Sequence, residues 1–408
     1  MLLTLSVEES QERVVALTTK TGVERVPLAD SLGRILREVV RARANVPPHP
    51  NSAMDGYAVR AADLVGAGAE TPVRLQMIGE SAAGHAAGMA LGAGQAIRIM
   101  TGALIPAGAD SVVMVEHTHA EPNDMVRTER ATKVGDHIRP AGDDMREGDL
   151  ILLDGERISP SSIGLLASLK RSSIDVARKP TVSIFSTGDE LRDLDDAAND
   201  PATIADSNSY TLAALVREAG GEPLVHPIVR DNPADLRAAI ERAKTSDLIL
   251  STGGVSVGEH DHVKEVLTDL GAELIFWRVA MKPGKPVAVF RLGRTPYFGL
   301  PGNPVSAMIA FHLFVRPALR ASLGCAETFD LTSVEVILDA PIKTGDRRHY
   351  ARARVHHRDG SLHATPMAKQ GSHVLTSMLH ADALIVIEPG SAPTVGARVP
   401  ALLLPGPL

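Results

Sequence analysis

The sequence holds one cysteine, Cys325. A disulfide framework is therefore excluded, and a reducing compartment such as the cytoplasm is expected. Cys325 follows Leu323-Gly324 at the end of a helical pattern and reads as a small apolar filler, not a nucleophile. Aromatics amount to 3% of the chain, so Ala, Val, Leu and Ile must fill its cores. No long basic run exists and the formal net charge is −7, which argues against nucleic acid as the main partner. No apolar run is long enough to span a bilayer. The first residues, MLLTLSVEESQERV, lack the basic n-region and long apolar stretch of a signal peptide. Internal repeats and low-complexity stretches are absent, and so is the Cys/His spacing of a structural zinc site. The 15 histidines are scattered: His117 and His119 are expected on one strand face, and His260 and His262 flank Asp261.

A chain of 408 residues is too long for one hydrophobic core. Its organisation changes along its length. Residues 6–17 read as a helix capped by Ser6, with Glu9 in its first turn and Val7, Val14, Val15 and Leu17 as the apolar stripe. A second short helix is expected from Asp30 through Leu36. Asn45-Val46-Pro47-Pro48-His49-Pro50 is neither helix nor central strand. From residue 50 to about 145, short apolar runs separated by glycine turns indicate a β-rich domain. Ser159 to Lys170 is a capped helix with Pro160 in its first turn. Residues 180–322 alternate strand candidates (182–185, 224–229, 248–250, 274–276, 287–290, 297–300) with helix candidates (207–219, 234–243, 261–270, 305–321). That alternation predicts a three-layer α/β domain with a mostly parallel sheet and ligands at the C-terminal strand ends. Residues 328–408 return to short strands and predict a small β-barrel or sheet domain.

The most informative stretch is Ser251 to His262, STGGVSVGEHDH. It lies between a strand pattern and a helix pattern. Gly253 and Gly254 let the backbone approach a ligand and turn bare N–H groups towards it, which suits a phosphate. Asp261 adds a carboxylate where a divalent metal on a phosphate could be held. Two other strand ends carry acids: Glu190 in STGDE, and Asp231 after Ile228-Val229-Arg230. In a parallel sheet these loops share one edge, so Glu190, Asp231 and Asp261 are expected to converge on a metal–phosphate site. Helix caps and turn formers are the competing reading of the same acids. Lys282 and Lys285 flank a rigid Pro-Gly turn and suit an oxyanion, although a solvated loop explains them as well. Pro301 and Pro304 fix the loop LPGNPVSA that opens the next helix, with Gly302 permitting close approach. In the β-rich domain, Asp55 of NSAMDGYAV and Thr101 of RIMTG sit at turns and are not diagnostic by spacing.

Together, NSAMDGYAV, RIMTG, STGDE, STGGVSVGEHDH, MKPGKP and LPGNPVSA resemble the molybdopterin molybdenumtransferase family (MoeA, and the E-domain of gephyrin), in order and over almost the whole chain. The resemblance implies four domains: a linking domain (18–45 with 146–179), a β-rich insertion (46–145), an α/β domain (1–17 with 180–326) and a C-terminal β-barrel-like domain (327–408). It implies a homodimer whose site is shared between subunits. It implies a reaction of adenylylated molybdopterin with molybdate, giving molybdenum cofactor and AMP with Mg²⁺. By matching motif, Asp55, Thr101, Glu190, Asp231 and Asp261 carry catalysis, and the three acids of the α/β domain hold the metal. Ser251, Thr252, Gly253, Gly254, Ser256, Lys282, Lys285, Pro301, Pro304 and Asp144 contact substrate. The adenylyltransferase that makes the intermediate and acceptor molybdoenzymes are further implied partners. The pair His49-Pro50 departs from the aromatic-Asp pair common in that family. Two rivals share the pattern: the adenylyltransferase itself, which resembles only residues 180–320, and a non-enzymatic scaffold.

Overall fold

The structure, a computed structural model, describes residues 4–84, 88–196, 200–254, 262–343 and 345–406. They divide into two compact units: Val39–Leu153 with Pro160–Ser173, and Met1–Glu38 with Asp154–Ser159 and Ile174–Leu408. Among the described residues no helix is long and apolar enough to cross a membrane.

The smaller unit is built on a curled six-stranded sheet. Its order is Ser111–Met114, Gly56–Val59, Gln95–Ile99, Val73–Ser81, Met125–Thr128, Thr118–Glu121. Successive side chains of a strand point to opposite faces. Tyr57 and Val59 therefore enter one apolar cluster with Leu75 and Val113, and Ala58 enters another with Ile97, Ile99 and Val112. A Cβ on Gly56 would lie 1.9 Å from the Val113 carbonyl oxygen, so only glycine fits there. His117 and His119 do not share a strand face. His117 ends a 3-10 turn, Val115–His117, closed by the Thr118 hydroxyl on the Val115 carbonyl at 2.8 Å. Helix Pro160–Ser168 begins on its proline as expected.

The larger unit begins with helix Val7–Leu17. Ser6 and Glu9 form a reciprocal capping box, with Ser6 Oγ accepting from the Glu9 N–H at 3.1 Å and Glu9 accepting from the Ser6 N–H at 2.9 Å. The helix expected over 30–36 is instead a 3-10 turn, Leu28–Asp30. Ser31 donates its hydroxyl back to Leu28 at 2.6 Å, and Gly33 adopts φ +75°, which ends the helical path. Ile35 and Leu36 then bridge to Arg157 and Val176.

The α/β sheet runs Glu222–Val225, Thr181–Ser186, Leu248–Thr252, Thr295–Leu300, Ala288–Leu292, Glu273–Phe276. Three of its pairings are parallel. The last two are antiparallel, because a hairpin joins Ala288–Leu292 to Thr295–Leu300. Helices Ser207–Glu218, Pro233–Ala243 and His262–Asp269 flank it, capped by Asp206 and Asn232 in the first two. The strand expected at 224–229 stops at Val225, and Val229 makes only a single bridge to Thr187.

The helix expected over 305–321 is three segments: Pro304–Ala310, a π-helical turn Phe311–Val315, and Arg316–Leu323. Pro317 has no N–H to give to the carbonyl of Leu313, four residues back. The wider turn accommodates the ring, and Gln11 Nε2 donates to that carbonyl at 3.1 Å.

The C-terminal strands close on themselves. Arg348–Arg358 pairs with Ser361–Pro366, which pairs with Ser333–Leu338, then Arg398–Leu403, then Ala383–Ile387, and the last pairs back with Arg348–Arg358. The result is a small five-stranded barrel. One further short strand, Met281–Lys282, adds to it in parallel, with Lys282 opposite His349.

Candidate active site

Strands Thr181–Ser186, Leu248–Thr252 and Thr295–Leu300 end side by side. The turns beyond them are tied together. The Thr187 N–H donates to the Thr252 carbonyl at 2.9 Å, and Gly188 N–H donates to Val229 at 3.2 Å. The Gly253 N–H donates to Leu300 at 3.3 Å, so this group is not the bare donor expected from the sequence. The N–H of Gly254 has no hydrogen-bond partner among the described residues. Both glycines have positive φ, +83° and +65°. A Cβ on Gly253 would sit 2.3 Å from the Thr187 carbonyl oxygen, and one on Gly254 would sit 2.6 Å from Thr187 Oγ1. That hydroxyl is buried and unpartnered, beside a Gly254 N–H that has no partner among the described residues. A phosphate oxygen at this turn would satisfy both donors.

The side chains of the predicted set divide. Thr252 Oγ1 donates to the Pro301 carbonyl at 3.0 Å and accepts from Asn208 Nδ2 at 2.8 Å. Asn208 also donates to the Gly302 carbonyl at 2.8 Å, so one amide at the start of helix Ser207–Glu218 clamps two loops. Ser251 does not reach the surface: it is 0% exposed and its hydroxyl accepts from Tyr297 at 2.6 Å. Pro304 is the first residue of its helix. Glu190 and Asp231 are exposed carboxylates on neighbouring turns, linked through Asp189, whose Oδ1 accepts from the Asp231 N–H at 3.3 Å. Ser256 and Asp261 lie outside the described residues.

Among the described residues, no group of three or more carboxylate, histidine or cysteine side chains is arranged to hold a metal. Mg²⁺ is usually bound by one or two carboxylates together with substrate phosphates. Exposed Glu190 and Asp231 beside the Gly253–Gly254 turn are oxygen donors of the kind that ion takes.

On the other side of Pro301 lies a cleft of about 850 Å³. Lys282, Lys285, Lys343, Arg347 and His349 line it, and among the described residues no Asp or Glu does. Lys282 and Lys285 stand on either side of the turn Pro283-Gly284. Pro283 follows a cis peptide, and Gly284 takes φ +100°. Arg347 donates to the Met281 carbonyl at 3.1 Å, fixing it beside that turn. Arg352 stands behind, fully buried, with Nη2 on the Gly371 carbonyl at 3.1 Å and Nε on Ser377 Oγ at 3.1 Å. Burial without a carboxylate lowers its pKa to about 10. Neither Arg352 nor His349 was singled out by the sequence. Both lie within one long strand, Arg348–Arg358, whose pattern reads as an ordinary barrel strand.

In the smaller unit the structure joins two predicted residues directly. Asp55 Oδ1 accepts from both the N–H and the hydroxyl of Thr101, each at 2.7 Å. These bonds, the backbone one first, lower the Asp55 pKa although the group is exposed. Asp144 is exposed on another loop, its N–H on the Val46 carbonyl at 3.0 Å. Cys325 packs with Ile35, Ala177 and Leu323, and burial raises its thiol pKa, as befits a filler.

A sequence model of the MoeA N-terminal region (domain I and II) matches residues 5–169. A probable molybdopterin binding domain matches 183–321, and the MoeA C-terminal region (domain IV) matches 336–404. The chain is 38% identical to the molybdopterin molybdenumtransferase of Bacillus subtilis over 406 residues, 98% of this chain and 94% of that one. It is 35% identical to molybdopterin molybdenumtransferase 2 of Mycobacterium tuberculosis over 94% of this chain and 95% of that one. The molybdopterin biosynthesis MoeA protein of Pyrococcus horikoshii superposes with a TM-score of 0.83 at 31% identity, covering 99% of this chain and 100% of the other. The chain therefore belongs to the molybdopterin molybdenumtransferase (MoeA) family.

Proposed function

We propose that this chain is a transferase of molybdenum cofactor biosynthesis that inserts molybdenum into molybdopterin. It takes adenylylated molybdopterin and molybdate and gives molybdenum cofactor and AMP. One observation carries the reading: Pro301 joins the Gly253–Gly254 turn to a basic cleft. Its carbonyl takes the Thr252 hydroxyl, and its ring lines the wall beside Lys282 and Lys285. A pyrophosphate and a small oxyanion could thus be held as neighbours.

The chemistry divides between the two sides. Gly254 N–H and Thr187 Oγ1 receive the pyrophosphate, while Lys282, Lys285 and Arg347 attract the molybdate dianion. The dithiolene sulfurs of the substrate are the nucleophiles towards molybdenum: two Mo–S bonds form as one oxo group of molybdate leaves as water with the two thiol protons, so the enzyme needs no thiol. Asp55, prepaired to Thr101, faces the substrate as a fixed carboxylate. Water adds to the phosphoanhydride and AMP leaves, with preorganised donors stabilising the charge that develops. Mg²⁺ bound by Glu190, Asp231 and Asp261 would offset charge on the pyrophosphate. The reading includes a cytoplasmic homodimer, the four-domain division of the chain, and exchange with an adenylyltransferase and acceptor molybdoenzymes. The two rivals are disfavoured by the relatives from Bacillus subtilis and Mycobacterium tuberculosis, both matched over nearly the full chain and both named as molybdopterin molybdenumtransferases.

The test is turnover of adenylylated molybdopterin as molybdate is varied. Each of K282A and K285A removes a charged contact, typically worth about 1.5–3 kcal/mol. The expected result is a molybdate KM raised roughly tenfold or more per variant. A folded double variant with wild-type KM for molybdate would remove the cleft from the mechanism.

A further inference from the structure

His349 is the anomaly of the basic cleft. It is 4% exposed, and neither Nδ1 nor Nε2 has a hydrogen-bond partner among the described residues. Buried polar groups are almost always paired. Two open nitrogens on one buried ring mark a place where a partner arrives from outside. Its backbone is held firmly, because its strand is paired on both sides: His349 stands opposite Lys282 on one and Ile387 on the other. It lines the cleft together with Lys282, Lys285, Lys343 and Arg347.

Its surroundings fix its form. The groups acting on it are the charges of Lys282 on the paired strand and Arg352 on its own strand, and the Lys343 backbone, which lies close to the ring but outside hydrogen-bond geometry. Burial first, then the charges of Lys282 and Arg352, push its pKa down to about 4, against a smaller opposing pull from the Lys343 backbone. At neutral pH the imidazole is uncharged, with one N–H donor and one acceptor nitrogen.

We propose that His349 is a substrate-binding residue of the oxyanion cleft, donating one ring N–H to an oxygen of a bound tetrahedral dianion such as molybdate. The proposal rests on the reading that the cleft takes molybdate, and it assigns a role there that charge cannot fill. Lysine and arginine supply attraction from any direction on long, rotatable stems. A buried imidazole on a doubly paired strand supplies one donor in one direction. It adds no further cation to a site already holding several, so it selects orientation without tightening the release of a charged product. The proposal also explains why an unsatisfied ring persists in the free protein: it is preorganised for the anion.

The variants are H349F, which keeps the ring's bulk, and H349Q, which restores an N–H. Molybdate and tungstate binding are read by calorimetry, and steady-state turnover is read beside them. For H349F the expected result is molybdate affinity weaker by about tenfold and KM raised alike, with kcat and the melting temperature of the free protein held. H349Q recovers part of the loss. H349F binding molybdate within twofold of wild type, while K282A weakens it, overturns the role of His349 and leaves the cleft reading intact. A wild-type protein that binds neither anion overturns the cleft reading itself. Should H349F not fold, ¹⁵N NMR of the wild-type ring decides: His349 nitrogen signals that do not move on saturation with molybdate overturn the proposal.

Discussion

At the scale of single residues, the chain prearranges charge before any ligand arrives. Asp55 is the clearest case, since both donors of Thr101 converge on one of its oxygens. A carboxyl held below its ordinary pKa in the folded chain favours the native state above that ordinary value. The advantage is lost as pH falls through the depressed folded value. T101V keeps the backbone N–H and deletes the hydroxyl. The Asp55 pKa should then rise part of the way back towards about 3.9, followed by ¹³C NMR of its carboxyl carbon. An unchanged titration would show that the hydroxyl contributes nothing. The pair was legible only as two separate motifs, NSAMDGYAV and RIMTG. Asn208 and His349 were not legible at all, and Thr187 only as part of the STGDE motif. Asn208 acts by spanning two loops distant in sequence, Thr187 by where register sets its hydroxyl, and His349 by what its ring lacks. Ser251 shows the converse. Its motif pointed to the ligand, yet the last turn of a buried strand directs its hydroxyl to Tyr297.

At the scale of elements, local rules succeeded where the signal was itself local. Ser6 and Glu9 announce the first helix, and Asn232-Pro233 announces another. The long helical pattern from Val305 to Ala321 failed for a physical reason visible only in three dimensions. Pro317 denies Leu313 its helical donor, and the substitute comes from Gln11, far away in sequence. Q11L should leave the Leu313 carbonyl without its partner at a cost of about 1 kcal/mol. E12L, one residue along on the exposed side of the helix, serves as the control. The readout is the urea midpoint of each variant. Equal midpoints for the two would show that Leu313 finds water instead of Gln11. The hairpin that reverses the far edge of the α/β sheet was likewise hidden, because its strands carry the same apolar runs as parallel ones. Closure of the C-terminal barrel depends on Arg348–Arg358 dividing its length between two partners, which alternation of side chains does not encode.

At the scale of the whole molecule, the question is how Asp55 and the Gly253–Gly254 turn, which stand in separate compact units, would serve the proposed reaction. The proposed homodimer answers by building each site from two chains, and mixing variants tests it. D55N and D261N each disable one half of the proposed site. If the halves come from different subunits, a mixed dimer of the two contains one site with both lesions and one with neither. Random exchange makes about half the dimers mixed, so turnover should return to roughly a quarter of wild type. If both halves come from one chain, each chain carries a lesion in its only site and mixing restores nothing. The measurement is molybdenum cofactor formed by co-refolded or co-expressed variants, with analytical ultracentrifugation confirming the dimer. Recovery near a quarter requires the shared site. Activity no higher than the two inactive parents, in a preparation shown to contain mixed dimers, places the entire reaction within one chain.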